Sequence, residues 1–367
     1  MTLTTRTPVE SRATECEELV QGWLETDLDA WTRRVVARHF DPLTGSPYWL
    51  RRAAELDFDP RDLTRYDQLT AFGPFPVEIL RGMDPTDLVP LAVPRPLAGR
   101  IWDTGGTTGT PCRLFYTPDM LLHRGAWRRW SFVAEGFLPH RTWLQATPTG
   151  PHLIGNGVWE TTELHDGRTY AIDMDPRWVK RLIRAGRLAE AQEYTTHLLE
   201  QIADTLAPGR IDYVNTTPAV FQALVRRFPE LVAPLKGVRL SGTQLSADMY
   251  RDFTAAMDDG ICGRSYGNTF GNAAGLPVEQ NADLMPYIPN FPQVTMAVVH
   301  KEDWSKVIEY GKTGQVRLTV LHEDLFLPNI LERDQALRYD PKGNWPSDGV
   351  ANITPLQATS SAPEGLY

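Results

Sequence analysis

Little in this chain points away from a reducing, aqueous compartment. Its 367 residues include three cysteines, Cys16, Cys112 and Cys262. An odd count at wide spacing excludes a disulfide framework and a CxxC metal site, and the expected location is the cytoplasm. No run approaches the roughly 18 apolar residues that a bilayer span needs. The first twenty residues carry Glu10, Glu15, Glu17 and Glu18 and no apolar segment, so neither a secretion signal nor a membrane partner is expected. Positive charge is in deficit: 37 Lys and Arg stand against 46 Asp and Glu, a net charge of −9, which argues against a nucleic-acid partner. Several catalytic signatures are also absent. There is no HExxH and no Cys/His ligand spacing among the eight histidines, so no structural zinc is expected.

What remains is an ordinary globular composition, 42% apolar and 23% charged, in a chain long enough for two or three packed units. There is no internal repeat. Residues 13–54 carry apolar side chains at helical spacing, and 55–100 are rich in Pro and Asp and read as loops. From 100 onward strand-like and helix-like stretches alternate. Strands are expected at 142–148, 211–217, 237–242 and 261–267, and helices at 119–136, 176–206, 218–228 and 246–257, which implies βαβ units and a mostly parallel sheet. Beyond 290, strand-like runs at 294–301, 306–311 and 314–322 are separated by short turns, the pattern of an antiparallel sheet. The expected class is therefore α/β with a C-terminal antiparallel β subdomain. Its expected parts are a helical and loop region over 1–95, an α/β core over 96–290, the antiparallel part over 291–340 and an irregular tail over 341–367.

The segment with chemistry is Asp103-Thr104-Gly105-Gly106-Thr107-Thr108-Gly109-Thr110-Pro111, lying between two strand-like runs. Three glycines and four threonines fill seven of its nine positions. Glycines let successive backbone N–H groups turn toward one anion, and threonine hydroxyls add donors, so the loop suits a polyphosphate. It is not a Walker A loop, because no Lys-Ser/Thr pair follows, nor a dinucleotide fingerprint, whose spacing differs.

The run GGTTGTP resembles the phosphate loop of the adenylate-forming superfamily, in particular its phenylacetate–CoA ligase branch. Three later segments fit in the same order. Ser241-Gly242-Thr243 resembles the stretch that packs on adenine. Tyr266-Gly267-Asn268-Thr269-Phe270 resembles the Tyr-Gly-x-Thr-Glu signature, in which Tyr266 would stack on adenine and Thr269, the catalytic candidate, would contact the α-phosphate. Asp334 falls where an aspartate holds the ribose hydroxyls. The resemblance spans about 95–340 and implies ATP or AMP and Mg²⁺ as cofactors. It also implies a substrate pocket, for which Trp143, His152, Trp159 and Phe270 are candidates.

Two departures matter. Phe270 stands where the signature has a glutamate that helps hold Mg²⁺, and Cys112 stands where a lysine usually follows the proline, with Arg113 next. In addition, 33 residues follow Asp334 (367 − 334), where the superfamily adds a small mobile C-terminal domain carrying a lysine; that domain is expected to be absent. These features resemble the short adenylating proteins of phenazine antibiotic (D-alanylgriseoluteic acid) biosynthesis. The implied task is activation of an aromatic carboxylate, such as phenazine-1,6-dicarboxylate, as an acyl-AMP for a partner reductase. The competing expectation is a binding protein that no longer turns over.

Overall fold

Prolines and short polar side chains set where many of the helices begin. Asp175 caps the helix that starts at Pro176, Thr217 caps the one that starts at Pro218, and Ser246 caps the one that starts at Ala247. In each case a side-chain oxygen accepts one of the N–H groups that the first turn leaves unpaired. The computed structural model describes residues 9–106, 109–258, 260–278, 283–343 and 345–356. In chain order the elements are α1 (Val9–Leu24), α2 (Leu28–His39), α3 (Pro47–Ala53), β1 (Arg100–Asp103), β2 (Arg113–Tyr116), α4 (Pro118–Ala134), β3 (Thr142–Gln145), α5 (Leu153–Leu164) and β4 (Arg168–Ala171). Then come α6 (Pro176–Arg184), α7 (Leu188–Leu206), β5 (Tyr213–Thr216), α8 (Pro218–Arg227), α9 (Pro229–Val232), β6 (Gly237–Leu240), α10 (Ala247–Ala256) and β7 (Ile261–Gly267). The last are β8 (Asn272–Gly275), β9 (Pro286–Pro289), β10 (Val294–Val299), β11 (Thr313–His322), β12 (Leu325–Tyr339) and β13 (Gly349–Pro355).

The chain divides into two compact units: one holds the described part of 1–22 with 124–265, the other 23–123 with 266–356. These cuts differ from those expected at 95, 290 and 340. The first unit is a parallel sheet in the order β7, β6, β5, β3, β4. β3, β5 and β6 are buried throughout, as strands covered on both faces should be. Its core includes an aromatic cluster of Phe132, Phe137, Trp143 and Tyr213.

The second unit is built on an antiparallel sheet, β10-β11-β12-β13-β9-β8. The Pro- and Asp-rich stretch of 55–100 folds here as short 3-10 helices, including Tyr66–Phe72 and Val77–Arg81. Rather than forming a separate region, it docks on the sheet. Trp49 donates its indole N–H to the carbonyl of Phe326 at 3.0 Å, and the amide of Asn329 donates to the carbonyl of Leu69 at 2.7 Å. The ring of Phe326 lies 5.0 Å from Trp49 and 5.4 Å from Phe72.

Four local expectations need correction. The helical stretch 176–206 is two helices, broken where Gly186 takes φ +70. The run at 306–311 is not a strand; Val307 makes one isolated bridge to Val299, and the chain turns at Gly311, φ +76. The tail contains β13, whose Gly, Asn and Pro are weak strand formers locally but pair with β12 and β9. β4 was not anticipated; it is a short, mostly exposed edge strand with no alternating pattern.

Candidate functional site

In the second unit β1 and β2 form an antiparallel pair, with Asp103 opposite Arg113. The glycine-rich loop joins them. Its ends are clamped together: the Thr104 N–H donates to the Cys112 carbonyl and the Cys112 N–H donates to Thr104 Oγ1, both at 2.9 Å. Gly106 at φ +60 and Gly109 at φ +141 adopt conformations that favour glycine. Gly105 and Thr110 lie in the same turn. Thr107 and Thr108, both expected phosphate contacts, fall outside the described residues.

The signature segment meets this loop at its base. Thr269 is buried, its hydroxyl donates to the Asp103 carbonyl at 3.3 Å, and its own carbonyl accepts from the Tyr116 hydroxyl at 2.6 Å. Gly267 has φ +144, and an added Cβ would come within 2.3 Å of the Gly271 carbonyl oxygen, so only glycine fits this bend. Asn268 closes the turn with its side-chain oxygen, which accepts the Phe270 N–H at 2.8 Å.

Two carboxylates reach the same segment from β12. The Tyr266 hydroxyl donates to Asp334 Oδ2 at 2.9 Å, and the Asn268 amide donates to Glu332 Oε1 at 2.8 Å. Residues two apart on a strand share a face, which is why both arrive together. Desolvation pushes the Glu332 carboxyl up to about 7, despite the bond from Asn268, and the nearby Asp334 charge adds to the rise. Tyr266 is raised well above its ordinary value, first by burial and then by the Asp334 and Glu332 charges, so it stays a neutral donor.

Phe270 is 9% exposed and offers no ligand atom. The carboxylate that the structure does bring to the signature is Glu332, which sequence reasoning missed. The available signal was its place two residues before Asp334 on one strand. Arg81 was missed as well. It ends the 3-10 helix Val77–Arg81 and donates from Nη1 to the Thr110 carbonyl at 2.8 Å. No local sequence signal links these distant segments. Arg113, which follows Cys112, lies 3.4 Å from the Asp103 carboxylate.

The remaining candidates lie in the first unit. Ser241, Gly242 and Thr243 follow β6; Gly242 has φ +89, and the buried Thr243 hydroxyl has no hydrogen-bond partner among the described residues. Trp143 is 2% exposed inside the aromatic cluster, so its side chain serves the core. His152 is buried at the start of α5, whereas Trp159 on that helix is 42% exposed.

Among the described residues, Asp119, His322 and Asp324 form a trio that could present three donors to a metal. Asp324, however, already accepts from Arg38 at 2.9 Å and from the Thr117 hydroxyl at 2.7 Å, so the trio reads as a polar network of two buried groups and the exposed Asp119. No helix among the described residues is long and apolar enough to cross a membrane.

No protein-family model matches the sequence, and neither does any curated protein. Solved structures do match the fold. Similar ones are 2-hydroxyisobutyryl-CoA ligase with 2-HIB-AMP and CoA in the thioesterification state (TM-score 0.63, 14% identity, 95% of this chain and 72% of that one) and an open conformation of that ligase with the same ligands (TM-score 0.62, 15% identity, 89% and 73%). A third is its postadenylation state with 2-HIB-AMP (TM-score 0.61, 15% identity, 88% and 65%). The chain thus shares its fold with 2-hydroxyisobutyryl-CoA ligase.

Proposed function

We propose that this protein activates a carboxylic acid by ATP-dependent adenylation, releasing pyrophosphate and forming an acyl-AMP. The observation that carries the reading is the convergence of three separated segments: the base of the glycine-rich loop, Tyr266–Thr269 and the β12 carboxylates. They are joined by the Thr269–Asp103 and Tyr266–Asp334 hydrogen bonds. The fold shared with a ligase solved with an acyl-AMP supports it.

A carboxylate is a poor electrophile because its leaving group is poor. In the proposed step its oxygen attacks the α-phosphorus in line, the bond to the bridging oxygen breaks, and pyrophosphate leaves with that electron pair. Catalysis of this kind rests on positioning and on donors around the phosphates rather than on a protein nucleophile. Asp334 accepts the ribose hydroxyls, and Tyr266 offers its ring to adenine. Thr269 and the loop N–H groups contact the phosphates. Mg²⁺, when bound, would offset charge on the phosphates, and Glu332 is the carboxylate able to ligate it in place of a side chain at 270.

The finer part of the proposal rests on the sequence resemblance. The acid is aromatic, phenazine-1,6-dicarboxylate being the first to try, and a partner reductase consumes the acyl-AMP. A second reading, a nucleotide and acid binder without turnover, is favoured by one observation, the buried Phe270 at the signature. Exchange of labelled pyrophosphate into ATP, run with a panel of aromatic and aliphatic acids, separates the two. Acid-dependent exchange is expected. Nucleotide binding with no exchange for any acid would leave the binder, and exchange with aliphatic acids alone would remove the aromatic substrate.

A further inference from the structure

We propose that Arg81 is the cation of the glycine-rich loop, placed there to receive the polyphosphate. The inference rests on the nucleotide reading above and assigns a residue outside every motif that supports it. A loop that gathers a polyphosphate by backbone N–H groups alone leaves most of the ligand's charge unbalanced. Positions 104–112 contain no Lys or Arg, and the next cation, Arg113, is paired with the buried Asp103. Any side-chain cation at this loop therefore comes from elsewhere in the fold.

The structure brings it from the Val77–Arg81 helix, which is fastened to the loop at two points. The Cys112 thiol donates to the Val77 carbonyl at 3.4 Å, and the Arg81 guanidinium donates to the Thr110 carbonyl at 2.8 Å. A Cβ on Gly109 would stand 2.8 Å from Arg81 Nη1, so glycine at 109 leaves the space that the guanidinium fills. The Arg81 side chain is 25% exposed, withdrawn enough to be ordered yet open enough to meet an anion. Its ion pair with Glu78 is long, 3.9 Å, to a carboxylate 72% exposed, and such a pair is easily exchanged for a phosphate. The planar guanidinium fork matches phosphate oxygens in a way an ammonium cannot.

The test is calorimetry of ATP and AMP binding to the full chain and to Arg81→Gln, Arg81→Lys and Gly109→Ala, with thermal melts alongside. Arg81→Gln should weaken ATP on the order of tenfold or more and AMP much less, because the lost charge faces the outer phosphates. Arg81→Lys, the variant that guards against a folding failure, should fall between. Gly109→Ala strains the loop at φ +141 without removing the charge, so its ATP affinity, though weaker, should keep the salt dependence of the unmodified protein. The ATP affinity of Arg81→Gln should also depend less on salt. If the unmodified protein binds ATP but Arg81→Gln binds it equally, or loses ATP and AMP alike, the assignment is overturned and the adenylation reading stands. If the unmodified protein binds neither nucleotide, that reading fails and takes this inference with it.

Discussion

From Leu325 to Ile330 every residue of β12 is buried, whereas from Leu331 to Tyr339 only Ala336 is. The first half is core. Phe326 packs among Phe40, Trp49 and Phe72, and the backbone anchors the Trp49 indole. The second half carries Glu332 and Asp334 to the signature segment. One strand is thus rigidly held at one end and chemically equipped at the other. The difference teaches how a carboxylate can be placed without a loop: the packed half anchors the strand, and the polar half carries the carboxylates past the register shifts that separate Val320 opposite Leu327 from Gln315 opposite Gln335.

This contrast predicts separable losses. Phe326→Ala should have the largest effect, a destabilisation of about 3–5 kcal/mol in chemical denaturation, from a large buried ring whose cavity cannot close. Equal stability would mean that the first half is not the anchor. Next is Glu332→Gln, read as stability against pH. The folded carboxyl titrates at about 7 against an ordinary 4.5, so the protonated form is the one the fold favours. The contribution is fully present below about 4.5 and is lost as pH rises through about 7. The unmodified protein should therefore lose stability relative to Glu332→Gln across that window, by at most about 3 kcal/mol, less where water reaches the carboxyl. Parallel pH profiles would show that Glu332 is not desolvated. Smallest is Tyr266→Phe, which removes the hydroxyl bonded to Asp334 but keeps the ring. A stability cost of about 1–2 kcal/mol is expected. Adenine binding should be retained, as measured by the affinity for AMP. Loss of AMP binding as large as that from deleting the whole ring would show that the hydroxyl, not the ring, is what matters.

The same contrast explains what could be read from the sequence. The helices of the first unit announce themselves through caps, prolines and periodicity, and its buried strands through short apolar runs. The glycine-rich loop and Tyr266–Thr269 are local patterns with local causes, and both are legible. Glu332 and β13 are not, because each owes its role to a strand partner distant in the chain. Asp334 sits inside β12, in its polar second half, which lacks the apolar signal that marks the first. Arg81 lies in a stretch that composition describes only as loop; its significance is a contact with Thr110, and no spacing encodes that. Trp143 shows the opposite error. Its aromatic face suits a flat ligand in principle, but its neighbours in space are Phe132, Phe137 and Tyr213.

The central claim is that a nucleotide is held in the second unit through the carboxylate at 334. Titration of ATP into the unmodified protein and into Asp334→Ala, followed by calorimetry, tests it most directly. Loss of a charge-assisted hydrogen bond worth about 1.5–3 kcal/mol predicts ATP affinity at least tenfold weaker in the mutant, with a separate stability cost of about 1–2 kcal/mol from the Tyr266 hydroxyl left without its acceptor. Equal affinity in the two proteins would contradict the account.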